Sequence, residues 1–418
     1  MSASTSATPS IWQTLLQPRM LTCALMGFAS GLPLYVLIQL LPLWLRSEGI
    51  DLASIGLFAL IGFPYTWKFL WSPLVDRYQL PFLSKRRGWM LASQISLLMA
   101  IVALGSFDPK QSLLPIVMLS IWIAFSSATQ DIVLDALRRE LLADQELGIG
   151  NAIFVNTYRI SSLVPASLAP ILADHLPWSW VFSAVGGFMV IGILLTLKIR
   201  EPQAAITAPL SLQQTFIEPF KDFLQRFGGK QALLICSFML LYKLGDSMAT
   251  ALSTPFYLDM GFTKTQIGVV AKHAALWPAV IGGLLGGLLM IRIGINRGLW
   301  IFGVIQTVSI LGFYWLSISE ANLWQLACVI AFEYLGVGLG TAAFTAFIAR
   351  VSSKTFAATQ LALLTALTAV PRTFLNASAG YLIEWLSYPT FFLLCTALAI
   401  PGMLLLFKIA PWNNTEAS

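Results

Sequence analysis

The chain has 418 residues, 57% hydrophobic and 11% charged, with a formal net charge of +6 and a mean hydropathy of +0.78. Soluble domains carry about a quarter charged residues, so a soluble globular protein is excluded and an integral membrane protein is indicated. The basic balance does not argue for nucleic acid as a partner, because the Lys and Arg residues sit in short loops between apolar runs, where they set topology.

In chain order, residues 1–19 form a polar tail with no sign of a cleaved signal peptide. A helix needs roughly 20 apolar residues to cross about 30 Å of hydrocarbon. Twelve runs meet that demand: 20–45, 52–76, 88–107, 112–137, 147–174, 177–198, 230–258, 263–291, 298–318, 322–350, 355–384 and 388–408. Residues 200–229 form a polar linker and 410–418 a short tail. The expected organisation is a six-helix bundle over 20–199 and a second over 230–409. Loops on the side of the termini collect most of the cations, including Arg77, Lys85, Arg86, Arg87, Arg138, Arg139 and Arg350, against Arg46, Lys110 and Lys264 on the other. Both termini are therefore expected in the cytoplasm.

The two halves repeat one plan. "GIDLASIG" at 49–56 and "GFTKTQIG" at 261–268 lie 212 residues apart, as do Arg138 and Arg350; Arg159 and Arg372 are 213 apart. Six helices duplicated with their orientation kept give two pseudo-symmetric bundles, which is the plan of the major facilitator fold. The loop "SPLVDRYQLPFLSKRRGW" after the second span resembles that superfamily's Gly-x-x-x-Asp-Arg loop, with Ser72 in the Gly position. Asp76 and Arg77, with Lys68 and Arg138, are the gating candidates. The second-half loop "GLLMIRIGINRG" has Ile291 where the acid would stand.

Ionisable residues inside spans are costly and mark a bundle interior or an aqueous cavity. They are Lys68, Asp131, Asp135, Arg159, Lys243, Asp246, Lys272, His273, Glu333 and Arg372, with spans 3, 6, 9 and 12 empty. Lys68 and Asp131 fall at similar depth and are expected to pair, or else Asp131 loads and releases a proton. Asp135, one turn further and beside Arg138, reads as a partly solvated ion pair or a further coupling acid. Lys243 and Asp246 form either an i,i+3 pair or part of a functional stripe, with Gly245 interrupting the packing. Glu333 is placed to neutralise Arg372. Asp131, Asp246, Glu333 and Asp135 are thus the proton-coupling candidates. The cations Arg159, Arg372, Lys243 and Lys272 suit an anionic substrate, with His273 beside them. Gln130, Asn156, Gln360 and Asn376 suit hydroxyl-rich groups, and Tyr65, Tyr158 and Trp277 fall on the same spans, where aromatic residues also gather for interfacial reasons. Gly-rich "GFASGLP" at 27–33 and "GGLLGGLL" at 282–289 bring helices close.

"GFASGLPL" (27–34), "KFLWSPLVDRY" (68–78), "RRGW" (86–89), "SSATQDIVLDA" (126–136), "LYKLGD" (241–246) and "FAATQLALLTALTAV" (356–370) together resemble the AmpG family of muropeptide permeases. That resemblance implies import of N-acetylglucosaminyl-1,6-anhydro-N-acetylmuramyl peptides across a bacterial inner membrane with protons, for peptidoglycan recycling and β-lactamase induction. It also implies the twelve-span form of the family. The alternative is a facilitator for another solute, such as a siderophore, sugar or drug. A polytopic enzyme is disfavoured, because the outer loops hold single scattered acids without metal-ligand spacing. Cys23, Cys236, Cys328 and Cys395 stand singly in apolar runs, so no disulfide framework, metal or cofactor is expected. A monomer is expected.

Overall fold

The computed structural model describes residues 17–142, 147–200, 218–352, 364, 369 and 372–412. Gln360 lies outside them, as do the side chains of Asp76 and Arg77. The described residues are helical, without strands. Hydrocarbon offers no partner to a backbone amide, and a helix satisfies its own. Among the described residues, nine stretches are long and apolar enough to cross a membrane.

The other three spans of the sequence reading are interrupted or outside view. The second runs as Leu52–Leu57, a 3-10 turn at Phe58–Gly62, Phe63–Trp67, another 3-10 turn at Lys68–Leu70, and Ser72–Arg77. The fifth runs as Leu147–Ser161, a π turn at Val164–Leu168 and Ala169–Ala173. Most of the eleventh lies outside the described residues. Pro64, Pro73, Pro165 and Pro170 fall in these stretches, and a proline withholds the amide donor that a continuous helix needs. The twelve-helix membrane architecture is therefore the fold, with the second and fifth spans among those built from short pieces.

The described residues divide into two compact units, one holding those up to Leu40 with those from Trp67 to Arg200, the other Leu41–Thr66 with those from Glu218 onward. In the first unit, Pro18–Tyr35 packs on Leu147–Ser161 at backbone distance. A Cβ on Gly27 would collide with the Phe154 carbonyl, and one on Gly31 with that of Tyr158. Arg86 Nη2 donates to Glu140 Oε1 at 2.9 Å, while Arg87 donates from Nε to Thr196 O at 2.9 Å and from Nη2 to Leu197 O at 2.8 Å. The basic cluster thus ties three helices together and caps one of them at its C-terminal end.

The second unit follows the same logic. Gly282 faces the Leu335 carbonyl at 2.5 Å from its would-be Cβ, and Gly245 faces Cys395 O at 2.6 Å. Gly245 is therefore a close-packing position, not an interruption of packing as expected. Arg350 Nη1 donates to Asn296 Oδ1 at 2.8 Å, and Asn296 Nδ2 donates to Pro411 O at 3.3 Å. The two repeated loops have one geometry: Gly49 and Gly261 take φ of 85° and 90°, and two residues later Asp51 and Thr263 cap the next helix, accepting from the Ser54 and Gln266 amides. Arg46 grips Asp259 with two bonds of 2.7 and 2.8 Å, and Tyr388 donates to the same carboxylate at 2.7 Å.

Two kinds of failure are expected on substitution. Gly31→Val overpacks the helix contact and should cost about 1–3 kcal/mol. Gly261→Ala meets no neighbour but forces a side chain into left-handed backbone, at about 1–2 kcal/mol. Thermal unfolding in detergent measures both. The Ser54 amide bond holds the Asp51 carboxyl below the usual carboxylate range. Its contribution is complete above the unfolded-state pKa and fades as pH falls through the lowered folded value. The stability gap between wild type and Asp51→Asn, which keeps a capping side chain, should be present at neutral pH and close in acid.

Candidate functional site

Each unit holds its own cluster of buried polar groups. In the first, Leu113–Leu141 carries Gln130, Asp131, Asp135 and Arg138 on successive turns. Ser30 Oγ donates to Asp131 Oδ1 at 2.5 Å. Gln130 is fully buried and donates from Nε2 to Ala29 O at 2.9 Å. Both contacts come from adjacent positions of Pro18–Tyr35, Ala29 and Ser30, beside the glycines that face Leu147–Ser161.

Lys68 does not bond to Asp131. Its Nζ lies 3.6 Å from Asp135 Oδ2, and Arg138 Nη2 donates to Asp135 Oδ1 at 2.9 Å. Lys68 lies on the 3-10 turn Lys68–Leu70, where the span departs from regular α-helix. Asp135 is half exposed, so this is the partly solvated ion pair among the sequence alternatives. Arg138 also stacks on the Phe154 ring at 3.9 Å. Trp71 Nε1 donates to Thr129 Oγ1 at 3.0 Å, covering the same helix.

Further along, Arg159, Asn156 and Tyr158 share Leu147–Ser161. Tyr158 meets Tyr35 edge to face at 5.7 Å between centroids. Asn156 is exposed, and Arg159 and Tyr158 are partly exposed. Gln130 stands apart from them in having no accessible surface, so a sugar contact there is replaced by a helix-to-helix bond.

The second cluster centres on Lys243, where the helix breaks: its backbone takes φ −105° and ψ 1° between Glu218–Tyr242 and Leu244–Ala251. Lys243 Nζ donates to Asp246 Oδ2 at 2.7 Å and to Gln306 Oε1 at 3.0 Å. The i,i+3 pair is therefore formed, and Gln306, from a span without ionisable residues, completes it. Glu333 is fully buried on Leu323–Val351, and neither carboxyl oxygen has a hydrogen-bond partner. It does not neutralise Arg372, which is partly exposed. Asn376 Nδ2 donates to Ser247 Oγ at 2.9 Å. Lys272 is buried, while Trp277 is about half exposed and donates from Nε1 to His273 Nδ1 at 3.2 Å. Tyr65 is partly buried in this unit.

Sequence reasoning missed Ser30 and Gln306. A serine in a run of small residues, or a glutamine in an otherwise apolar span, carries no periodic signal; an uncharged polar residue within membrane depth is the sign that finds them.

Buried polar clusters inside helical membrane units, with interrupted helices beside them, are the features of a polytopic carrier. The comparisons agree in detail. The Major Facilitator Superfamily model matches residues 23–373. The chain is 47% identical to an uncharacterized protein of Haemophilus influenzae, covering 96% of this chain and 97% of that one. It is 43% identical to the anhydromuropeptide permease of Escherichia coli K12, covering 93% and 79%. The chain belongs to the AmpG family of the Major Facilitator Superfamily. Among solved structures, the nucleoside transporter NupG superposes with a TM-score of 0.73 at 13% identity, over 94% of this chain and 99% of that one, which speaks to the fold alone.

The pairing of the first cluster has a direct consequence. Ser30→Ala leaves a buried carboxyl without its donor and should destabilise by about 1–3 kcal/mol. Lys68→Met breaks a half-exposed contact and should stay within about 1 kcal/mol of wild type. Thermal unfolding of the two variants in one detergent checks the order; equal losses would return Lys68 to Asp131.

Proposed function

We propose that this chain imports anhydromuropeptides into the cytoplasm with protons, by alternating exposure of its binding residues to the two faces of the membrane. The observation that carries the reading is 43% identity over 93% of the chain to a protein that is an anhydromuropeptide permease. Its place is the bacterial inner membrane, as a monomer with both termini cytoplasmic, in keeping with the cation bias of the loops. Its role is peptidoglycan recycling, with β-lactamase induction as the downstream effect.

The residues suit that cargo. A neutral disaccharide with a carboxylate-bearing peptide asks for a few cations among hydroxyl- and amide-binding groups. Arg159 and Arg372 supply forked guanidinium donors for carboxylates, Lys272 and His273 further positive charge, and Asn156, Asn376 and the rings of Tyr158, Tyr65 and Trp277 the sugar contacts. Gln360 remains in this set on its sequence position. Asp131 is the coupling acid of the first unit, with Ser30 as its switchable donor, and Asp246 and Glu333 are the acids of the second. Asp135, Lys68 and Arg138, with Asp76 and Arg77, serve the cytoplasmic gate.

Uptake of labelled anhydromuropeptide into right-side-out vesicles tests the reading. Accumulation should collapse to the uncoupled level with a protonophore. Asp131→Asn should lose gradient-driven accumulation while retaining counterflow exchange. Gradient-independent uptake by wild type, or accumulation at wild-type level in Asp131→Asn, would remove proton coupling or its assigned acid respectively. Competition by siderophores or sugars but not by anhydromuropeptide would move the substrate to another class.

A further inference from the structure

The buried cluster around Lys243 sets one cation against two carboxyls, and the count does not balance. Lys243 is bonded to Asp246 Oδ2 and Gln306 Oε1. Glu333 is fully buried with both carboxyl oxygens unpartnered, and Asp246 Oδ1, 4% exposed as a residue, is likewise open. The Tyr257 hydroxyl is a further buried group without a hydrogen-bond partner in this neighbourhood.

The surroundings of Glu333 come from every helix about it. Asp246 and Lys243 lie within its electrostatic reach, with Ser309 beside it. Tyr257 faces it together with Tyr334, and Cys395 approaches from Ala379–Ile409. Lys243 is the cation in this set. An unpartnered carboxylate in an apolar interior costs several kcal/mol, and groups so placed are carried neutral or paired. A single proton shared by the two carboxyls makes the sum of Lys243, Asp246 and Glu333 zero. Of the two acids, Asp246 is the better home for the negative charge. It holds the ammonium and lies in the first turn of Leu244–Ala251, where the helix dipole favours an anion.

We propose that Lys243, Asp246 and Glu333 form a one-proton site in the second unit, with the proton resting on Glu333 and passing to Asp246 Oδ1 when the helix break at Lys243 rearranges. In that step the O–H bond of Glu333 breaks and an O–H bond forms on Asp246. The negative charge moves to Glu333, and the Lys243 ammonium follows it, so the three groups stay neutral throughout. Gln306 positions the ammonium between the acids. Full loss of the proton leaves one uncompensated negative charge, which is tolerable only while the site is open to water. Proton release is thereby tied to the open state. The inference rests on the proposed reading of the chain as a proton-driven carrier.

Infrared difference spectroscopy of the purified full chain in lipid nanodiscs reads the site without any substrate. Wild type should show the carbonyl stretch of a protonated buried carboxyl at neutral pH, and Glu333→Gln should lose it. Asp246→Asn leaves one cation for one carboxyl, so Glu333 should ionise against Lys243 and the same band should vanish. A band unchanged in Glu333→Gln, or persisting in Asp246→Asn, overturns the proposal. In vesicles, Glu333→Gln should lose gradient-driven accumulation but keep exchange, and Glu333→Asp should recover part of it; wild-type accumulation in Glu333→Gln overturns the proposal as well. If the wild type fails to accumulate anhydromuropeptide while the infrared bands behave as stated, the substrate reading fails and the proton site stands.

Discussion

An ionised side chain in hydrocarbon must find its compensation within a few ångströms, because neither water nor salt is there to screen it. That demand organises the interior of both units. The first answers it with a hydroxyl on Asp131 and two cations on the wetter Asp135. The second answers it with a lysine held between a carboxylate and an amide. Each arrangement is local and made of few parts, so moving one part changes the charge state of the rest.

Such contacts require backbones at unusually short range. Gly27 and Gly31 let Pro18–Tyr35 lie against the Phe154 and Tyr158 carbonyls, while Ser30 of the same helix bonds to Asp131. Gly245 does the same beside Lys243 by admitting Cys395 O. The helix interruptions supply the other half of the geometry. The break at Lys243 places an ammonium beside the first turn of the next helix, and Lys68, which pairs with Asp135, lies on a 3-10 turn. Small residues and broken turns are therefore the means by which polar groups are brought into register, and both weaken helix propensity where they do so.

The spans themselves were legible because length and apolarity are what a bilayer selects. The Lys243–Asp246 pair was legible because i,i+3 spacing fixes it within one helix. Partners on other helices were not. Whether Lys68 meets Asp131 or Asp135 depends on one turn of depth, which helix periodicity alone does not settle in a span interrupted by 3-10 turns. Ser30 lies 101 positions from Asp131 and Gln306 63 positions from Lys243; both are common residue types whose role comes only from packing. Gln130, whose type invites a ligand contact, proved to be fully buried against Ala29 for the same reason.

The duplication sharpens this point. At the offset of 212 that relates Arg138 to Arg350, Asp131 falls on Ala343, Asp135 on Phe347, and Glu333 on Ile121. The topology cations and the loop geometry of Gly49 and Gly261 are shared between the halves, but the buried acids are not. A feature that serves insertion or helix capping is needed twice, once per bundle, and recurs at matched positions. An acid that holds a proton is needed at a particular depth with a particular donor, and two copies at equivalent depth would duplicate the burial cost without a second role. The unmatched placement of Asp131 and Glu333 is what two acids with different partners require: one bonded by a hydroxyl, the other beside an ion pair that already claims the cation.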